Sequence, residues 1–230
     1  MPHGLGAGIA ICLIEVPADL DVPHSLVGPG EIERAKRIRD PAERSFLLGS
    51  HAVLRSVLAD ALGKSPAELE FTCDEFGKPR LAGQSLNFNM SRSGSATLIG
   101  LSEDAQIGVD IERDVGMTDA GIVAREHLSP REYEHWSRLD PASATQALLQ
   151  CWVRKEACVK AAGIGLAGRL DQLDVGWSPD RVPMPLTLAH GVSRWTTRVV
   201  SLPVPPSVVA AAAVVTGSGQ VPAGRPISAA

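Results

Sequence analysis

The sequence predicts an α+β fold built from two similar α/β halves. Three observations lead there. The chain reads strand, helices, strands, and then reads so again. Two long helices open on the same Asp-Pro pair, at Asp40-Pro41 and Asp140-Pro141. Polar turns separate the consecutive short strands.

The elements follow in order. Gly8–Val16 is β-branched and loosely alternating, so it reads as a strand, and Pro17–Gly30 as a Pro/Gly-rich loop. Glu31–Arg39 is a charged helix. Asp40 is an N-cap with Pro41 at the first helical position. Phe46, Leu47, Leu54, Val57, Leu58 and Leu62 then recur at helical spacing until Gly63 stops the helix. Leu69–Cys73 reads as a strand and Asp74–Pro79 as a turn. Leu86–Ser91, Ala96–Ser102 and Ile107–Glu112 read as three further strands. Ser129-Pro130 opens a helix, and Asp140-Pro141 opens another that runs to about Ala162. Leu173–Trp177, Pro185–His190, Trp195–Leu202 and Ser207–Thr216 return to strand. The predicted divisions are 1–105, 106–216 and a disordered Gly/Pro/Ser/Ala tail over 217–230, with a ligand cleft expected between the halves.

Composition excludes several classes. The chain has 230 residues, 44% hydrophobic and 21% charged, ample for a buried core. A formal net charge of -4 argues against nucleic acid as a partner while leaving room for a local anion site. No apolar run reaches membrane length and no signal peptide is legible, so no membrane partner is expected, and the cysteines, read as reduced, suit a cytoplasmic protein. Cys12, Cys73, Cys151 and Cys158 form no CxxC pair and read as reduced thiols. There is no GxSxG, and the six histidines lack metal-ligand spacing. Gly163–Gly168 spells GxGxxG but follows a helix instead of a strand, which removes the dinucleotide reading.

Three constellations could carry chemistry. In the strand Gly108–Glu112, residues two apart share a face, so Asp110 and Glu112 present adjacent carboxylates. By itself this also fits a solvated strand face, although a hard cation would relieve the repulsion. On the long helix, Trp152, Glu156 and Lys160 are spaced by four and form one stripe. A surface Glu–Lys pair explains two of them, but Trp152 points to a partly buried face, where idle charges are costly. Phe88–Gly94 delivers Ser91 and Arg92 into a turn, and Gly77-Lys78-Pro79 adds a cation; hydroxyl, cations and turn N–H groups suit a phosphate.

Taken together and in this order, Gly77-Lys78-Pro79, Phe88–Gly94, Gly108–Glu112 and Trp152–Lys160 resemble the motifs of the Sfp-type 4′-phosphopantetheinyl transferases: GKP, FN-x-S-H-S-G, G-[IV]-D-[IV]-E and W-x-x-K-E-(x)3-K. The resemblance runs from about Glu31 to Gly176 and departs at one position, Arg92 in place of the family His. It implies a pseudo-twofold arrangement of the halves, with antiparallel sheets and packed helices. It also implies transfer of the phosphopantetheine arm of coenzyme A to a serine of an apo acyl or peptidyl carrier protein, releasing adenosine 3′,5′-bisphosphate. The metal would be Mg²⁺, with Mn²⁺ as the alternative, on Asp110, Glu112 and Glu156. Glu156 and Lys160 would be catalytic, and Lys155 would project away from the stripe. Lys78, Ser91, Arg92, Arg34, Arg44 and Ser45 would contact the coenzyme, and the carrier would approach over Val115–Trp136. A monomer is expected, the internal duplication supplying both halves. A coenzyme A-binding module and a different metal-dependent phosphotransferase remain as alternatives.

Overall fold

The structure is a computed structural model that describes residues 5–17, 19–113, 119–165, 169–177, 184–191 and 193–220. The first half contains β1 (Ile9–Glu15), α1 (Pro29–Lys36), α2 (Pro41–Leu62), β2 (Phe71–Cys73), β3 (Pro79–Leu81), β4 (Asn87–Ser93) and β5 (Ala96–Ser102). The second contains β6 (Ile107–Arg113), α3 (Ala120–His127), α4 (Pro130–Trp136), α5 (Pro141–Ala162), β7 (Met184–His190), β8 (Ser193–Ser201) and β9 (Val208–Gln220).

The halves share one topology. Antiparallel sheets run β1-β5-β4 in the first and β6-β9-β8-β7 in the second, so in each the first strand pairs with the last. Helices α2 and α5 are both 22 residues long. Asp40 accepts hydrogen bonds from the Ala42 and Glu43 N–H groups, and Asp140 from those of Ala142 and Ser143. Gly63 and Gly163 then end the helices in the left-handed conformation, at φ 63° and 75°.

Apolar alternation stacks these parts into helix, sheet, sheet and helix. On β5, Ile99 and Leu101 pack with Leu54 and Leu58 of α2, while Ala96 and Leu98 turn the other way. There they meet Ile107, Val109 and Ile111 of β6 and Ala210, Ala212 and Val214 of β9. The opposite face of β9, Val209, Ala211 and Ala213, lies under Val153, Ala157 and Ala161 of α5. Although α2 is apolar and long enough to cross a membrane by composition, it packs on a sheet and buries Arg55.

Three differences from the sequence reading have clear causes. Leu173–Trp177 forms no strand, because its polar contacts go to side chains: the Val175 N–H donates to Glu132, and the Val175 and Gly176 carbonyls accept from Arg154. Pro79 does not end in a turn but starts β3, an edge position that needs no N–H. β9 continues to Gln220 through pairing with β8, so residues 217–220 are strand and not tail; residues 221–230 lie outside the described residues.

Candidate active site

The site forms where the two sheets meet. The edge strands β4 and β6 run side by side without exchanging a backbone ladder. Side chains supply it instead: Asn89 Oδ1, Ser91 Oγ and Ser93 Oγ accept from the N–H groups of Val109, Ile111 and Arg113 at 2.8, 3.4 and 3.0 Å. The period of two makes this possible, placing three small polar residues on one face of β4. The two serines also donate onward, Ser91 to Asp110 Oδ1 at 2.8 Å and Ser93 to Glu112 Oε2 at 2.9 Å. Each hydroxyl thus fixes one carboxylate of the predicted pair.

Helix α5 covers this pair from the other side. Gly108 sets the distance. A Cβ there would come within 2.1 Å of the Ala157 carbonyl oxygen and 2.3 Å of the Ala161 nitrogen, so only glycine lets helix and strand approach this closely. The predicted stripe then faces β6. Trp152 lies beside Glu112 and acts to lower its pKa, Lys160 Nζ lies 2.5 Å from Asp110 Oδ1 and 3.2 Å from Ser91 Oγ, and Glu156 lies between Trp152 and Lys160 along the helix. Lys155, on the other side of the helix, is fully buried against Glu132 at 2.6 Å and donates to the His127 and Leu170 carbonyls.

The electrostatics are those of an under-neutralised cluster. Burial pushes Asp110 up, against the pull of Lys160 and Ser91. Glu112 is also raised, by burial and then by Asp110, with Ser93 opposing. Glu156 is raised by burial, then Asp110 and Glu112, with only Lys160 lowering it. Three carboxylates therefore share one ammonium. Asp110 Oδ2 is buried with no hydrogen-bond partner, an orphaned acceptor of the kind a hard cation satisfies. Among the described residues no three acidic, His or Cys side chains stand as a ready metal cage. The expected trio is a cluster of repelling, all-oxygen donors, a chemistry that fits Mg²⁺, and not a closed coordination shell.

The other face of β4 turns to α2. Phe88 and Met90 pack there, and Arg92 donates to Ser50 Oγ at 3.1 Å with its guanidinium over the Phe46 ring. Burial and then neighbouring Arg34 lower the pKa of Arg92. Both arginines line a cavity of about 720 Å³ walled by α1, α2, β2 and β4. Glu31 anchors its α1 wall. Burial alone would raise this carboxyl, but hydrogen bonds from His51, the Gly28 N–H and Arg55 bring it down to about 2. Arg55 further donates to the Pro66 and Leu69 carbonyls and lies over the Phe71 ring.

Of the expected coenzyme contacts, only Arg34 and Arg92 line this cavity. Ser91 instead serves the carboxylates. Arg44 is engaged on the Ile38 carbonyl through Nε and Nη2, and Ser45 on the Leu20 carbonyl. Lys78 departs furthest from expectation: it is buried, and its ammonium is spent on the Ile107 and Ala161 carbonyls. Sequence reasoning missed Asn89, Ser93 and the Glu31–His51–Arg55 cluster. The alternation of small polar residues in Asn89-Met90-Ser91-Arg92-Ser93 was the available signal for the first two.

Residues 106–213 match the 4′-phosphopantetheinyl transferase superfamily. The 4′-phosphopantetheinyl transferase HetI of Nostoc sp. is 32% identical over 153 residues, 65% of this chain and 64% of that protein. A 4′-phosphopantetheinyl transferase of Bacillus subtilis is 31% identical over 150 residues, 64% of this chain and 65% of that protein. The chain thus spans just under two thirds of the length of these two relatives. A second Bacillus subtilis 4′-phosphopantetheinyl transferase, ffp, is 31% identical over 170 residues, 72% of this chain and 74% of that protein. A relative 31% identical across 72% of this chain and 74% of its own length, together with the match over residues 106–213, shows that the chain belongs to the 4′-phosphopantetheinyl transferase superfamily.

Proposed function

We propose that the protein transfers the phosphopantetheine arm of coenzyme A onto a serine hydroxyl of an apo acyl or peptidyl carrier protein. The observation that carries the reading is the division of labour on β4. One face presents Arg92 to the cavity, and the other fixes Asp110 and Glu112 beneath Glu156 and Lys160. An arginine-lined cavity can seat the phosphates of a nucleotide, which brings its pyrophosphate toward the carboxylate cluster.

In the reaction the serine oxygen bonds to the phosphorus carrying pantetheine. The bond from that phosphorus to the bridging oxygen breaks, and adenosine 3′,5′-bisphosphate departs. Asp110, Glu112 and Glu156 would hold Mg²⁺, which supplies neutralisation of charge on the pyrophosphate oxygens. Glu156 would also take the serine proton, directly or through water. Lys160, one turn on, would stabilise or protonate the departing phosphate. Ser91 and Ser93 hold the two strand carboxylates in orientation.

The carrier would approach over α3. Ile122 is 59% exposed there, beside a cavity lined by Asp119, Arg125 and Tyr133. Val123 packs into the core, and Val115 and Met117 lie outside the described residues. The protein would act as a monomer in the cytoplasm. Burial pushes the thiols of Cys151 and Cys158 up to about 12, which keeps them unreactive.

Incubation with coenzyme A, Mg²⁺ and an apo-carrier tests the proposal. The carrier should gain the mass of one phosphopantetheine on its serine. Binding of coenzyme A with no mass gain on any apo-carrier would favour a binding module instead.

A further inference from the structure

Lys78 has left the ligand cavity for the seam between the halves, and what it touches there indicates its use. It follows the tight turn at Gly77, whose φ is 83°, just before β3. Its side chain crosses to the second half, and Nζ donates to the Ile107 carbonyl at 2.9 Å and the Ala161 carbonyl at 3.2 Å, with Gln106 Oε1 at 3.4 Å. Ile107 is the first residue of β6, three before Asp110. Ala161 lies in the last turn of α5, next to Lys160 and five residues after Glu156. One ammonium therefore ties together the ends of the two elements that carry the reactive groups.

The contact is favourable in itself. The last carbonyls of a helix have no intrahelical donor and carry its partial negative charge, so a cation is stabilising there. The turn is also braced. The Asp74 carboxylate accepts from the Phe76 and Lys78 N–H groups and pairs with Arg80, and Arg80 holds Gln106, the residue before β6. Gln106 in turn donates to Asn87 at the start of β4. Burial is the main force lowering the Lys78 pKa, to about 8. The fold thus keeps a cation where desolvation opposes one, as expected when its donors have a task.

We infer that Lys78 is a positioning residue, clamping the C-terminal end of α5 to the start of β6 so that Glu156 and Lys160 stay in register with Asp110 and Glu112. It is neither a phosphate ligand nor a general brace of the fold. The inference rests on the proposed transfer reaction only for its kinetic readout.

Lys78→Met, which keeps the length of the stem and removes the donors, tests it in the full chain. Turnover should fall on the order of 10- to 100-fold, the effect of displacing catalytic groups by about 1 Å. The Kd for adenosine 3′,5′-bisphosphate should stay within about threefold, because no phosphate contact is lost. Amide hydrogen exchange should quicken in the last turn of α5 and the first residues of β6 and remain unchanged in α2. If Lys78→Met is too unstable to purify, Lys78→Gln, with two donors on a shorter stem, should show the same split at smaller amplitude. A tenfold or greater loss of bisphosphate affinity with unchanged exchange would make Lys78 a ligand contact and overturn the inference. Uniformly faster exchange, or a lower melting temperature with normal turnover, would make it a general brace and overturn it equally. If the parent protein transfers nothing to any carrier, the reaction is wrong, and the exchange pattern still decides the clamp.

Discussion

Gly108→Ala is the sharpest test of how the site is assembled. The added methyl carbon would stand 2.1 Å from the Ala157 carbonyl oxygen, 2.3 Å from the Ala161 nitrogen and 2.8 Å from the Lys160 carbonyl carbon. All three are helix backbone atoms, so no side chain can swing aside. Real Cβ contacts stop near 3.0 Å, and α5 must therefore back away from β6 by about 1 Å, since the close-packed interior leaves no slack. The overpacking should cost about 1–3 kcal/mol, lowering the melting temperature by roughly 2–4 °C for each kcal/mol in a chain of this size. The chemistry should suffer more, because the retreat carries Glu156 and Lys160 away from Asp110 and Glu112: turnover should fall on the order of 100-fold. The comparison variant is Gly100→Ala, whose methyl would meet only the Val109 and Ile107 side chains, at 2.6 and 2.9 Å. It should lower stability without a comparable loss of turnover. Scanning calorimetry and carrier mass gain, measured side by side, read both quantities. A Gly108→Ala protein with parental melting and parental turnover would refute the close approach of helix and strand.

Three further outcomes follow from the site. Glu156→Gln should abolish transfer yet melt about 2–4 °C higher in chelator-treated buffer, since it removes one of three closely spaced like charges, two of them half-buried, and it should lose the stabilisation that added Mg²⁺ gives the parent; a parental response to Mg²⁺ in thermal-shift assays would remove Glu156 from the metal set. Lys160→Ala should lower kcat more than it changes the KM for coenzyme A, whereas Lys155→Met should destabilise the fold by about 3–5 kcal/mol by stranding buried Glu132; denaturant titration and steady-state kinetics separate the two, and the reverse ranking would mean the helix faces are misassigned. Arg92→Ala should raise the KM for coenzyme A about tenfold or more, the value of a charge-assisted hydrogen bond, and Arg92→His should restore part of it with a dependence on pH near neutrality; unchanged affinity would leave Arg92 a wall residue only.

Much of this was legible in the sequence because it rests on local rules. Asp-Pro starts and glycine ends bounded α2 and α5, and helical spacing put Trp152, Glu156 and Lys160 on one face. Strand alternation put Asp110 beside Glu112. What escaped depends on pairs far apart in the chain. Ser91 and Arg92 looked like one polar cluster, yet alternation sends them to opposite faces and different tasks. Lys78 read as a coenzyme contact, because its partners are backbone carbonyls 29 and 83 residues away, and carbonyls leave no mark on a sequence. Leu173–Trp177 carried a strand-like pattern, but Glu132 and Arg154 took the backbone groups a strand would have used.

The matched topology of the halves has a consequence for how such a site can diverge. Strand pairing sets β1 against β5 as β6 is set against β9, which makes Cys12 and Ile14 the counterparts of Asp110 and Glu112. The equal helices make Ala52, Ser56 and Asp60 the counterparts of Trp152, Glu156 and Lys160. If one ancestral unit was copied, the proposed reactive groups stand in only one copy, and the other was free to become the arginine-bearing wall of the cavity proposed to seat the nucleotide. Selection could then reshape ligand preference through α1 and α2 without disturbing the chemistry on β6 and α5, and the two properties would drift independently between descendants of the same duplication.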